Sequence, residues 1–374
     1  MASTTKERRR PLLEVHRLPL RILLAVPVYL ALTAVILLAT HSDLNIPALY
    51  SQCHSRSRLR GISRIPVIGA PACFIISFLR FANASVRTFA QMSVVLSFVG
   101  ALLTVNLIES ARRCNRRSWV IRNPTLGWLV FNLIGGTLVW DLLIVPAFLR
   151  RAQEVRDESL EAGRAGGDAL DRDSVKASRG LESKAEAYAI PIAMTLGFYV
   201  PSILMLTLNE PISIAVWLLF PLLISLARIA VRFAVSRLSN DDKPFHLESY
   251  RASSLMVYAV PFICSVLAHG FLIWNMFSRD DRREMTRSTI VFIHIDISIL
   301  AATVVYWVLV ECGSVPALFL AGLSILLGPG AALCFAWLLR EQIICTEAVL
   351  LGECEGYASE GDPQAVRGKT PLLR

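Results

Sequence analysis

Apolar residues in this chain come in blocks of about 20, separated by short runs rich in arginine. A helix rising about 1.5 Å per residue needs about that length to cross roughly 30 Å of hydrocarbon. The blocks predict spans over residues 19–40, 88–109, 125–149, 189–208, 212–235, 252–276, 289–311 and 315–338. A ninth block, 65–82, is interrupted by Pro66, Gly69 and Pro71 and reads as a kinked span or a re-entrant piece. The blocks are continuous rather than alternating, which argues against a barrel. The expected fold is all-α: a polytopic integral membrane helical bundle of eight or nine transmembrane helices. A basic N-terminal tail covers 1–18, and the helical domain covers 19–338, interrupted by a polar loop at 150–188. A C-terminal tail covers 339–374.

Composition sharpens this picture. The chain has 374 residues, 54% of them hydrophobic, and a net charge of +9. In a soluble protein that charge would raise nucleic-acid binding. Here the basic residues flank apolar blocks, as in Arg8-Arg9-Arg10, Arg112-Arg113, Arg116-Arg117, Arg150-Arg151 and Arg282-Arg283. They read as topogenic flanks and lipid-headgroup contacts, and the expected partner is a bilayer, with no nucleic acid. With nine spans and a cytosolic N-terminus, Lys and Arg divide almost evenly between the two sides, so the charge rule leaves orientation open. The first block is too long for a cleaved signal and reads as a signal anchor. Eight scattered cysteines form no C-x-x-C pair and indicate neither a zinc ribbon nor a disulfide framework; Cys345 and Cys354 are candidates for acylation. The sequon at Asn83 lies beside a span and reads as unused.

Depth sorts the acids. Asp296 lies within an apolar run about 6 Å from the middle of its span, where a charge costs roughly 2.5–3.5 kcal/mol on insertion scales. Asp141 has a similar offset in its own span. Glu109, Glu210, Glu311 and Glu341 lie at span ends and read as interfacial anchors and caps. For the two deep aspartates the structural reading is a pair with Arg, His or Asn on another helix. The chemical reading is a proton donor, because dry surroundings keep a carboxylic acid neutral. Such an acid can protonate an alkene or an epoxide, and the resulting cation needs aromatic walls. Phe292, Thr303 and Trp307 share the Asp296 helix face. Trp140, Tyr199, Trp217, Tyr258 and Tyr306 are further candidate substrate-binding rings, although for most of them ordinary packing or an interfacial belt is the better reading. His269 reads as a helix–helix hydrogen bonder. Asp280-Asp281-Arg282-Arg283-Glu284 has a diphosphate–magnesium spacing but is interrupted by arginines, and Asp241-Asp242 reads as a turn.

Several segments occur together in a telling order: Leu107-Ile-Glu-Ser-Ala-Arg-Arg-Cys-Asn115, Leu196-Gly-Phe-Tyr-Val-Pro-Ser-Ile-Leu-Met205, Val216-Trp-Leu-Leu-Phe-Pro221, Phe292-Ile-His-Ile-Asp296 and Leu327-Gly-Pro-Gly-Ala-Ala332. The set resembles the fungal membrane-bound terpene cyclases of the ascochlorin and ascofuranone type, over about residues 20–342. In that family the fourth segment reads Phe-Leu-Gln-aromatic-Asp; here His294 and Ile295 replace Gln and the aromatic. The family's acid near the broken second block has no counterpart in Val67-Ile-Gly-Ala70.

The resemblance implies a multi-pass endoplasmic-reticulum enzyme of terpenoid or meroterpenoid secondary metabolism. It would cyclise a lipophilic prenylated substrate by proton initiation, with no metal and no redox cofactor. Asp296 is then the preferred acid. Asp141 is a second acid or a cation-stabilising anion, and Glu109 is a third candidate carried mainly by the resemblance. Two readings from other classes stand beside it. One is a proton-coupled transporter with Asp141, Asp296 and His269 as a relay. The other is a non-catalytic membrane partner that gathers pathway enzymes through the 150–188 loop.

Overall fold

In a computed structural model of the protein, the described residues are 18–42, 44–55, 69–164, 180–238, 245, 247 and 251–350. Among them the regular elements are helical, and extended pairing is limited to isolated bridges that tie Leu181 to Arg112 and to Phe245. The bundle is all-α, as the apolar blocks predict. Large apolar side chains such as Leu267, Trp274 and Ile325 face outward, which suits a protein surrounded by lipid.

Among the described residues, five helices are long and apolar enough to cross a membrane. They are α1 (Leu20–His41), α4 (Val86–Ala111), α7 (Lys184–Leu208), α10 (Arg251–Met276) and α11 (Glu284–Cys312). Between α1 and α4 lie the short α2 (Ile46–Ser55) and α3 (Gly69–Ala82). A sixth crossing is the pair α8 (Pro211–Leu218) and α9 (Phe220–Leu238), bent by 58°. The expectation of eight or nine spans is therefore corrected, and the reason is local. The block 125–149 breaks at Gly135, where α5 (Pro124–Ile134) gives way to α6, which starts at Gly136–Val139, widens into a π turn at Trp140–Ile144 and continues as Val145–Arg164. The block 315–338 breaks at Gly328 between α12 (Ser314–Leu327) and α13 (Pro329–Leu350). Gly135 and Gly328 have φ of +106° and +90°, which a residue with a Cβ adopts only at a cost. The ninth block becomes the 14-residue α3, too short to cross alone.

Side-chain contacts define two ends of the bundle. At one end Leu18 meets Gln153, Leu23 meets Tyr306, and the end of α4 meets α13 through Arg112 and Glu341. At the other, Asp281 holds the start of α4 and Asn83 holds the end of α7. The α5–α6 and α12–α13 pairs both leave the Arg112 end, turn at their glycines inside the bundle, and return to it. The tip at Gly135 meets Asp296, twelve residues along α11, or roughly 18 Å from its start. The tip at Gly328 packs on Ser265 and His269, deep in α10.

Close packing depends on small residues. A Cβ on Gly197 would lie 2.6 Å from the Ile224 backbone nitrogen, so α7 and α9 touch backbone to backbone at the π turn Thr195–Tyr199. Gly100 similarly makes room for the Tyr199 ring. Cysteine spacing indicated no disulfide framework, yet Cys73 is disulfide-bonded; proximity in the fold, not sequence spacing, decides pairing. The sequon asparagine is buried, and its amide donates to the Leu206 carbonyl at 2.7 Å.

Candidate functional site

Asp296 finds a partner that is neither a cation nor a polar side chain of another helix. Gly136 N–H donates to its Oδ2 at 2.9 Å and Thr137 N–H donates to its Oδ1 at 3.1 Å. The Thr137 hydroxyl donates to the Asp296 backbone carbonyl at 2.5 Å. Gly136 and Thr137 open α6, whose first amides have no acceptor within their own helix. Asp296 thus caps a helix that starts inside the bundle, and its charge sits at the positive end of that helix's dipole. A Cβ on Gly136 would lie 3.2 Å from Asp296 Oδ2 and 2.7 Å from the Phe131 ring, so the cap also requires a glycine.

Asp141 follows in the π turn of the same helix and is fully buried. The Thr303 hydroxyl, two turns beyond Asp296 on α11, lies 2.6 Å from Asp141 Oδ1 and 3.0 Å from the Ile299 carbonyl. It has one proton to give and two acceptors within reach. Asp141 Oδ2 has no partner among the described residues. The two deep aspartates therefore lie along one seam between α6 and α11, under different conditions. One carboxylate is fully solvated by backbone; the other is half-satisfied.

Aromatic rings surround this seam. Trp140 meets Trp307 at 5.5 Å between ring centres and Trp128 at 6.0 Å. Trp307 continues to Phe148 at 4.9 Å and to Trp337 at 4.5 Å. The indole nitrogens of Trp140 and Trp307 are buried without partners among the described residues. From Trp128 the chain of rings reaches Phe220, and Phe220 meets Trp217 and Phe198, the neighbour of Tyr199. The structure thus brings Trp140, the chain neighbour of Asp141, against Trp307, one turn beyond Thr303, and connects Trp217 and Tyr199 to them through intervening rings. Phe292 packs instead on Phe78 at 5.4 Å, and Tyr306 donates to the Leu23 carbonyl. Tyr258 is buried with its hydroxyl unpartnered among the described residues.

Glu109 belongs to a different centre. Its carboxylate accepts from Arg112 at 3.0 Å, Asn115 at 3.2 Å, Trp337 at 3.3 Å and Arg340 at 3.0 Å. Arg112 also pairs with Glu341, and Arg340 lies 3.5 Å from Glu341 and 3.9 Å from Glu311. Arg112 and Glu341 are buried. The reading of Arg112 as a headgroup contact, and of Glu109 and Glu341 as interfacial anchors, is thereby corrected. These charges lie inside the bundle because α13 returns to the Arg112 end and brings Arg340 and Glu341 onto α4. Arg151, another supposed flank, is buried with bonds to the Cys114 carbonyl and Glu154. Sequence reasoning missed Arg112, Asn115, Trp337 and Arg340 as site residues. The i, i+3 spacing of Glu109 and Arg112 was the available signal.

The remaining motifs are accounted for locally. Asp280 pairs with Arg282 and Arg287, and Asp281 accepts from the Val86 N–H at 2.7 Å. His269 faces the Ile325 carbonyl at 3.0 Å rather than an aspartate. Asp241, Asp242 and the side chain of Cys345 lie outside the described residues, as does Cys354.

A family model for the CtvD domain matches residues 51–278, more than half of the chain, and the protein belongs to that family. The match includes Glu109, Arg112 and Asp141 and ends before Asp296. No curated protein and no solved structure matches the chain. Family membership and the apolar helices together describe a multi-pass membrane protein, and they point to fungal secondary-metabolite clusters.

Proposed function

We propose that the protein is a membrane-embedded acid catalyst that protonates an alkene or epoxide on a lipophilic prenyl chain and lets the chain close into rings, as a terpene cyclase. The observation that carries this reading is Asp141: fully buried, held through one oxygen by Thr303, without a partner at the other among the described residues, and next in the chain to Trp140, whose ring meets Trp307. A carboxylic acid suits that set of contacts better than a carboxylate. Protonated on Oδ1 it donates to Thr303, whose own proton then goes to the Ile299 carbonyl, and the oxygen left without a donor is a neutral carbonyl rather than part of an anion. The indoles supply the electron-rich faces that a developing cation requires. Burial among rings keeps out water that would quench it.

On this reading Asp296 is a positioning residue. It ties the first turn of α6 to α11 and so fixes where Asp141 points. Glu109 has a supporting role, holding α4 and α13 together behind Trp337.

The test uses membranes containing the full chain, incubated with an aromatic compound bearing a terminal epoxyfarnesyl chain. Ring-closed product is expected, and Asp141→Asn is expected to abolish it while the protein remains folded. A wild-type product that is only the open-chain diol would retain acid opening and reject cyclisation. Undiminished cyclisation by Asp141→Asn would reject the site.

A further inference from the structure

At the Arg112 end, outside the aromatic seam, a cavity of about 610 Å³ opens between the turn after α4, the start of α7 and the last turns of α9. Arg113, Arg116, Lys184 and Arg232 line it, with Glu182 as the acidic member of the wall. Glu182 lies 2.9 Å from Arg116 and 3.7 Å from Arg232, so one carboxylate spreads two guanidinium groups around the opening. The Arg113 Nε is buried with no hydrogen-bond acceptor among the described residues. Lys184 has no ion pair among them. Ser183, Lys184 and Ala185 form the N-terminus of α7, whose cap residue Ser183 makes no side-chain cap bond. Tyr188 and Phe233, both exposed, complete the wall.

We propose that this cavity binds a phosphate group carried on an apolar tail. Four cations face Glu182, and although the buried Glu186 also pairs with Arg232 at 3.0 Å, positive charge remains in excess and favours an anion. Arginine forks and uncapped helix amides suit phosphate oxygens in particular. The position at the end of the membrane-crossing helices places the anion at headgroup level, and the rings of Tyr188 and Phe233 offer a path for a tail into the bilayer. Two sources have this chemistry: an anionic phospholipid of the membrane, and a prenyl diphosphate arriving from solution.

The experiment compares wild type with an Arg116→Gln/Lys184→Gln double variant, both full length. Arg116 is exposed, and neither residue contacts the Asp141 seam, so the fold and any cyclase activity should be retained. Arg150→Gln, an exposed cation at the same end but off the cavity, is the control. Binding of phosphatidic acid is read by native mass spectrometry from nanodiscs of phosphatidylcholine doped with it. Binding of farnesyl diphosphate is read by titration in undoped nanodiscs. Loss of two cations should weaken the true ligand about 30-fold, with the control unchanged. Loss confined to phosphatidic acid identifies the phospholipid, and loss confined to farnesyl diphosphate identifies the soluble source. Equal binding of both ligands by wild type and double variant, or no binding by either, overturns the proposal.

Discussion

The cap at Asp296 is open to a direct energetic test by Asp296→Ala and Asp296→Asn. Alanine removes both acceptors and the charge, leaving the Gly136 and Thr137 N–H groups pointing at a vacated, half-buried site. Removal of an N-cap side chain costs about 0.5–2 kcal/mol, and hydrogen bonds to a charged group are worth about 1.5–3 kcal/mol. The two figures describe overlapping interactions, so the expected loss is about 2–3 kcal/mol rather than their sum. Asparagine keeps one acceptor and sets its amide against the second N–H, so about 1–2 kcal/mol should be lost. The measurement is the unfolding free energy in mild micelles, titrated with a denaturing detergent. Activity on an epoxyprenyl substrate should fall in the same order as stability, because displacement of the α6 start moves Asp141. Stability of Asp296→Ala within about 0.5 kcal/mol of wild type would refute the cap. A fully stable but inactive Asp296→Asn would return the proton-donor role to Asp296.

Three further outcomes are expected. Arg340→Leu should cost about 3–5 kcal/mol in the same unfolding titration, since it strips a cation from Glu109 and Glu341 inside the bundle; a loss below about 1 kcal/mol would show that the cluster is not energetically coupled. Asp281 is pushed upward by partial desolvation, but the amides of Val86 and Arg87 and the Ser85 side chain outweigh this and hold its carboxyl below the usual 3.8. A depressed folded pKa gives stability that is present above the unfolded value and lost as pH falls through the folded one. Protection of the Val86 amide from hydrogen exchange, taken relative to the intrinsic rate at the same pH, should therefore be high at pH 6 and fall below about pH 3.8; protection unchanged by Asp281→Asn would refute the link. Finally, described Lys and Arg are more than twice as numerous at the Arg112 end as at the opposite end, which carries Arg80, Arg87, Arg279, Arg282, Arg283 and Arg287. The Arg112 end should face the cytosol, so a glycosylation acceptor inserted between Phe277 and Arg283 should be modified in microsomes and one appended after Arg374 should not.

The chain's legibility followed a physical division. Helix type and lipid exposure depend on local hydrophobicity, so the long blocks at 88–109, 252–276 and 289–311 could be read directly, and each became a crossing helix. Whether a block continues through a glycine depends on what waits at the break. Gly135 lies in an apolar run that looks uninterrupted, and nothing near it in sequence supplies the acceptors that a new helix start requires. Those acceptors belong to Asp296, 160 residues downstream. The same fact hid the purpose of Asp296, whose partners are backbone amides that carry no sequence signature. The miscounted spans then erased the charge asymmetry: treating 65–82 and 125–149 as full crossings exchanges the sides of the segments between them, Arg112 to Arg122 included, and treating 315–338 as another moves Arg340 across; the even division of Lys and Arg is the result. Depth does not separate Asp141 from Asp296, and the helix-face neighbours and family resemblance that favour Asp296 in the sequence say nothing about hydrogen-bond donors. What distinguishes Asp141 is an oxygen left without a donor, and that depends on Thr303 from another helix. A buried acid with too few donors gains more from holding a proton than one already capped by amides, and that contrast is why the proposed mechanism starts from Asp141 rather than Asp296.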